Sequence, residues 1–146
     1  MGIVVTGVCG ALAYWGKTNY RRIRGQFDQE FRRQAARIVG KKWRGTETFS
    51  HDGTTNEYDM TFRIRGYDVI GKQKCIRGFD PGREFHSVGR FQDGVLRMTW
   101  VPSNRDAVES GAFALKLIKE GLLEGCGLYV EPEVQAIRTS TIKATR

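Results

Sequence analysis

The sequence predicts a mainly β protein, a small antiparallel eight-stranded up-and-down β-barrel preceded by a hydrophobic N-terminal helix and an amphipathic helix. Three observations predict it. From Trp43 to Arg146 short strand-like runs follow one another, cut by Gly, Asp and Pro turn residues, with no long helical period. The runs number eight, and an even count joined by short turns favours a barrel that closes its own edges. One run, Glu57–Arg65, alternates cleanly: Tyr58, Met60, Phe62 and Ile64 against Glu57, Asp59, Thr61, Arg63 and Arg65.

Taken in order, Met1 to Trp15 is apolar and meets no charge until Lys17. A helix needs about 20 apolar residues to span a bilayer, so this run is short unless Lys17 snorkels and Tyr14, Trp15 and Tyr20 sit at the interface. The basic residues Arg21, Arg22 and Arg24 after it give the pattern of a cytoplasmic membrane exit. The expectation is a membrane anchor over 1–20; a buried or interfacial helix is the alternative. Tyr20, Ile23, Phe27, Phe31, Ala35 and Ile38 then recur at three- and four-residue steps. They predict an amphipathic basic helix within Lys17 to Val39, the connector at 21–40, stopped by Gly40. Its stripe packs across one end of the barrel, or lies on an anionic membrane, or pairs with another copy.

The barrel domain is placed at 41–146, with strands at Trp43–Phe49, Glu57–Arg65, Tyr67–Ile76, Glu84–Phe91, Val95–Pro102, Gly111–Lys119, Leu122–Glu131 and Gln135–Thr145. Asp80-Pro81-Gly82, Asp93-Gly94 and Glu120-Gly121 supply the turn chemistry. Two strands leave their facing open. In Val95–Pro102 either Arg97, Thr99 and Val101 point inward with Val95, or Leu96, Met98 and Trp100 do. In Gln135–Thr145 the sets Ala136, Arg138, Ser140, Ile142 and Ile137, Thr139, Thr141, Lys143 compete.

The chain has 146 residues, a net charge of +8 and a pI of about 9.7. A nucleotide, a nucleic acid and an acidic membrane all suit that sign, as does a merely basic soluble surface. Cys9, Cys75 and Cys126 form neither a metal spacing nor a disulfide framework, and free thiols fit a reducing compartment. The two histidines, His51 and His86, are read as structural. Nucleophile, metal and phosphate-loop motifs are missing, so no catalytic residue, metal ligand or cofactor is expected. An enzyme would need carboxylates such as Glu47, Glu57, Asp59 and Glu124 to converge.

Arginines and aromatics interleave on the strands, a combination that binds phosphate and stacks on bases. The candidate ligand contacts are Tyr58 for stacking, Arg97 and Arg138 for phosphate, and Thr99 for a hydrogen bond. Strand parity allows all four to face the interior together.

Trp43-Arg44-Gly45 opens the first strand, Leu123-Glu124-Gly125-Cys126-Gly127-Leu128-Tyr129 forms the seventh, and the last closes on Ile142-Lys143-Ala144-Thr145-Arg146. With the apolar leader and basic connector, the chain resembles the transmembrane β-barrel effectors of bacterial antiphage signalling, the cyclic-nucleotide-sensing effectors of CBASS-type systems. The resemblance implies a cytoplasmic barrel at the bacterial inner membrane that binds a cyclic di- or oligonucleotide made by a companion nucleotidyltransferase. Binding would drive homo-oligomerisation and membrane disruption; long nucleic acid is not an expected partner. The chain departs from the family in having room for one short membrane segment where the family carries two. The alternative is a lipocalin-like carrier of an apolar ligand.

Overall fold

The computed structural model describes residues 19, 20, 23, 24, 28–104 and 109–146. Eight antiparallel strands close into one barrel in sequence order: β1 Lys42–Phe49, β2 Thr55–Arg65, β3 Asp68–Arg77, β4 Glu84–Gln92, β5 Val95–Pro102, β6 Gly111–Lys119, β7 Leu122–Glu131 and β8 Ala136–Thr145. Ring closure is the β1–β8 ladder, running from Arg44 opposite Thr145 to Phe49 opposite Ser140. The predicted strands therefore all form, with ends shifted by a residue or two. The β4–β5 turn places Asp93 at φ 53° and Gly94 at φ 74°, the paired positive angles a tight hairpin requires.

Before the barrel lies a short helix, α1 (Gln29–Ala35), and the described residues 19, 20, 23 and 24 are helical as well. Asp28 caps it, accepting the Phe31 N–H at 2.9 Å, and its second carboxylate oxygen accepts the Tyr67 hydroxyl at 2.9 Å. The Phe31 N–H first, and Tyr67 next, hold the Asp28 carboxyl below the usual range. After Ala35 the chain turns through Ile38 to Gly40, whose φ of +67° ends the segment as expected. The predicted stripe is only half used. Phe31 packs on Tyr67, while Ala35 and Ile38 are fully buried at the barrel end. Tyr20 and Ile23 are 61% and 56% exposed, and Phe27 and the apolar run 1–15 lie outside the described residues. No helix among the described residues is long and apolar enough to cross a membrane.

The end under α1 is sealed by Trp43, Val69, Phe91, Leu96, Leu117 and Leu123, all buried. The Trp43 indole donates to the Ile38 carbonyl at 2.9 Å, tying the connector to the barrel floor. Residue volume settles the open facing of β5: Leu96 and Met98 are buried and Trp100 is half-buried, which puts Arg97 and Thr99 on the outer wall. Turning Arg97 inward would strand a guanidinium among Leu115, Phe113 and Val69 at a cost of several kcal/mol. In β8 the inward set is Arg138, Ser140, Ile142 and Ala144.

Candidate functional site

The end opposite α1 is the mouth. Along β1, period two carries the face of Trp43 through Gly45 to Glu47, so a carboxylate enters the interior. Tyr58 donates to its Oε2 at 2.9 Å and Ser140 donates to Oε1 at 2.6 Å. The Asn56 amide donates to the Tyr58 hydroxyl at 3.0 Å and so fixes which way that hydroxyl points. No cation pairs with Glu47 among the described residues. Burial therefore outweighs its two hydrogen bonds and raises its pKa. Burial, and then the Glu47 charge, push the Tyr58 phenol far above its ordinary value, so it stays a donor.

Rings wall this cluster. Tyr58, Phe85 and Trp100 form an edge-to-face chain with centroids 6.1 and 5.3 Å apart, and Phe49 meets Tyr129 at 5.7 Å. Deeper in, Gln73 is 5% exposed and donates to Ser87 at 2.7 Å, while its amide oxygen has no partner. At the rim the Arg83 guanidinium lies 5.3 Å over Phe85 and pairs with Glu109 at 2.9 Å. Arg138 pairs with Glu131 at 2.8 Å. The site thus offers flat aromatic walls, two inward acceptors and two rim cations already held by carboxylates.

The four sequence candidates do not converge. Tyr58 is inside and Arg138 faces the mouth, as parity allowed. Arg97 is exposed on the outer wall directly opposite Arg90, and Thr99 beside it donates to the Val88 carbonyl at 3.3 Å. Of the two arginines expected to face inward together, only Arg138 does so, and the carboxylate inside is Glu47. Of the carboxylates that might have met inside, Glu57 and Asp59 pair with Arg44 and Glu124 with Lys143, all on the outer wall. His51 pairs with Asp52 at 3.3 Å, and His86 is exposed on β4. Among the described residues no group of three or more His, Cys, Asp or Glu is placed to hold a metal. Glu47 was findable in advance from its place two residues past Gly45 in a strand that begins on an inward tryptophan.

Glu47→Gln is expected to stabilise the protein at neutral and alkaline pH. The folded-state pKa of Glu47 lies above its unfolded value, so both states are protonated at low pH and the group costs nothing there. The penalty sets in as pH rises through the unfolded value and is complete above the folded one. Glutamine keeps the shape, and Ser140 can rotate to accept its amide. Denaturation midpoints should match at acid pH and separate in favour of the variant as pH rises; midpoints that stay parallel would refute the buried charge.

Two open clefts mark the outside. One of about 680 Å³ lies between the connector and the β4–β5 hairpin, with Tyr20, Arg24, Phe31, Tyr67 and Arg90 on its walls. The other, of about 520 Å³, runs over β1, β7 and β8 past Thr46, Thr48, Thr141 and Lys143.

No protein-family model and no curated protein matches the chain. Solved barrels do. EF1p2_mFAP2b bound to DFHBI aligns at TM-score 0.61 and 15% identity, covering 78% of this chain and 97% of that one. A redesigned β-barrel, b11L5F_LGL, gives 0.58 and 19% over 78% and 95%. The redesigned barrel mFAP1, bound to DFHBI, gives 0.57 and 14% over 78% and 99%. At these identities the likeness is one of fold.

Proposed function

We propose that the protein is a small-ligand-binding barrel whose mouth takes a flat, nitrogen-rich ligand. The observation that carries this is Glu47: a carboxylate inside a ring-walled mouth, held by two neutral hydroxyls and by no cation among the described residues. Retaining such a group costs stability, as expected of a residue kept for binding. The unpaired Gln73 oxygen adds a second inward acceptor. Both suit a ring edge that presents N–H donors. Two of the barrels of like fold are solved with DFHBI, which supports a small-ligand reading.

In our reading the ligand is a cyclic di- or oligonucleotide signal, supplied by a companion nucleotidyltransferase. A base stacks on the Tyr58–Phe85–Trp100 chain, and phosphate displaces Glu131 from Arg138 at the rim. The chain then acts as a membrane-associated sensor-effector of antiphage defence, anchored in the bacterial inner membrane through its apolar leader, and ligand triggers self-association and membrane disruption. Exposed Val101, Leu128, Val130 and Ile137 on the outer wall supply apolar surface for that association. The carrier alternative is disfavoured by the polar groups inside the mouth.

A thermal-shift screen of the full chain against cyclic nucleotides and fatty acids tests this. A ligand present at a hundred times its dissociation constant should stabilise by about 2.7 kcal/mol. Arg138→Ala should weaken nucleotide binding roughly tenfold, and Arg97→Ala should leave it unchanged. Stabilisation by fatty acids alone would establish the carrier, and no shift with any cyclic nucleotide would end the nucleotide reading.

A further inference from the structure

Cations outnumber carboxylates at the helix end of the barrel, where Asp68, Asp93 and Glu120 also lie, and the balance reverses toward the mouth. At the mouth, Asp52, Asp80, Glu109, Glu131 and Glu133 line the loops, and among the described residues the cations there, Arg77, Arg83 and Arg138, are ion-paired. The opposite half carries Arg37, Lys42, Arg65, Arg97, Lys116 and Lys119, all exposed. None of these six forms an ion pair with the described residues, and Arg97 stands directly across from Arg90. Like charges opposed across a ladder repel, so this half gains from an anionic partner.

Two further features choose among anionic partners. Tyr20 and Ile23, an aromatic and an aliphatic side chain beside Arg24, are exposed at the same end. Such side chains suit the boundary between headgroups and acyl chains better than a polyanion in water. The sequence that precedes them is the apolar run 1–15. The 680 Å³ cleft opens beside them, with Arg24 and Arg90 on its walls.

We propose that the helix end of the barrel docks on a bilayer of anionic phospholipid, the cleft beside Arg24 and Arg90 taking a headgroup phosphate. This deepens the membrane association proposed above and rests on it, but it is independent of the mouth ligand. Of the three carboxylates that also line the cleft, Asp28 and Glu30 are engaged with Tyr67 and with Arg33 and Gln34, and Asp93 sits on the hairpin turn; Arg90 lies 3.9 Å from Asp68, which a phosphate would displace. The mouth then faces away from the lipid.

The test is flotation of the full chain with phosphatidylcholine vesicles, with and without phosphatidylglycerol, across a salt series. Binding should be tighter to the anionic vesicles and fall with salt. Each exposed cation removed near an anionic surface should weaken it roughly fivefold, so combining Arg37→Gln, Arg65→Gln and Lys119→Gln should weaken it roughly a hundredfold. Arg77→Gln, at the mouth end, should have no effect. Equal binding to both vesicles, unmoved by the triple variant, would overturn the docking and leave an anchor by the leader alone. Failure to bind either vesicle would overturn both. Charge-dependent binding to duplex DNA or RNA in place of vesicles would also overturn it.

Discussion

Trp43→Ala should destabilise the protein by about 3–5 kcal/mol, the range for emptying a large buried aromatic site. Trp43 is 1% exposed and packs at the floor of the barrel with Ile38, Leu123 and Ala144, all 0% exposed. Its loss has two parts. One is the cavity, which a closed ring of eight hydrogen-bonded strands cannot collapse to fill. The other is the Ile38 carbonyl, which loses the indole donor that holds the connector down. Trp43→Phe separates them: it keeps most of the ring and removes the donor, and should recover more than half of the loss. Urea unfolding followed by far-ultraviolet circular dichroism measures both. A cost below about 1 kcal/mol for the alanine variant would mean that the floor is not a packed core.

The second large effect is expected from an added methyl. Gly125→Ala places a Cβ against the carbonyl oxygen of Ala114 on β6, and Gly89→Ala places one against that of Arg97 on β5. Neither obstacle is a side chain that can swing aside; both are backbone in the neighbouring strand. The strands must part and lose ladder hydrogen bonds, at about 3 kcal/mol or more for each substitution. Gly53→Ala is the contrast. Its φ is +72° but nothing lies within 4 Å of the new methyl, so the cost is the left-handed backbone alone, about 1–2 kcal/mol. Similar losses at all three positions would mean that the neighbouring strand yields to the added methyl and the close backbone contact does not govern.

Those glycines also show why the sequence discloses the ladder better than the lumen. The strands were legible because β2 alternates strictly and because Asp93-Gly94 and Glu120-Gly121 are turn signals with a steric cause. The facing of β5 was not, since Arg97 and Thr99 alternate with Met98 as readily as the reverse. Only the volume available beside Leu115 and Phe113 decides it, and volume is a property of the closed ring. Arg138 faces inward, one of the two facings that parity left open, but its partner Glu131 lies seven residues back across the β7–β8 turn, so the cation is already held by a carboxylate. Glu47 was visible as a carboxylate and invisible as an isolated one, because isolation depends on which cations end up outside. Along the connector, Tyr20 and Ile23 match the apolar period and are helical but exposed, whereas Phe31, Ala35 and Ile38 cover the barrel floor.

An even number of antiparallel strands returns the polypeptide to the rim from which it set out. Arg44 lies beside Thr145, and the backbone of Arg146 bonds to Gly121 at that same rim. A reporter fused after Arg146 would thus stand next to the connector, roughly 25 Å from the far opening, given the rise of a ten-residue strand tilted in a small barrel. Fluorescence transfer from that position to a labelled bilayer would read which way up the cup rests.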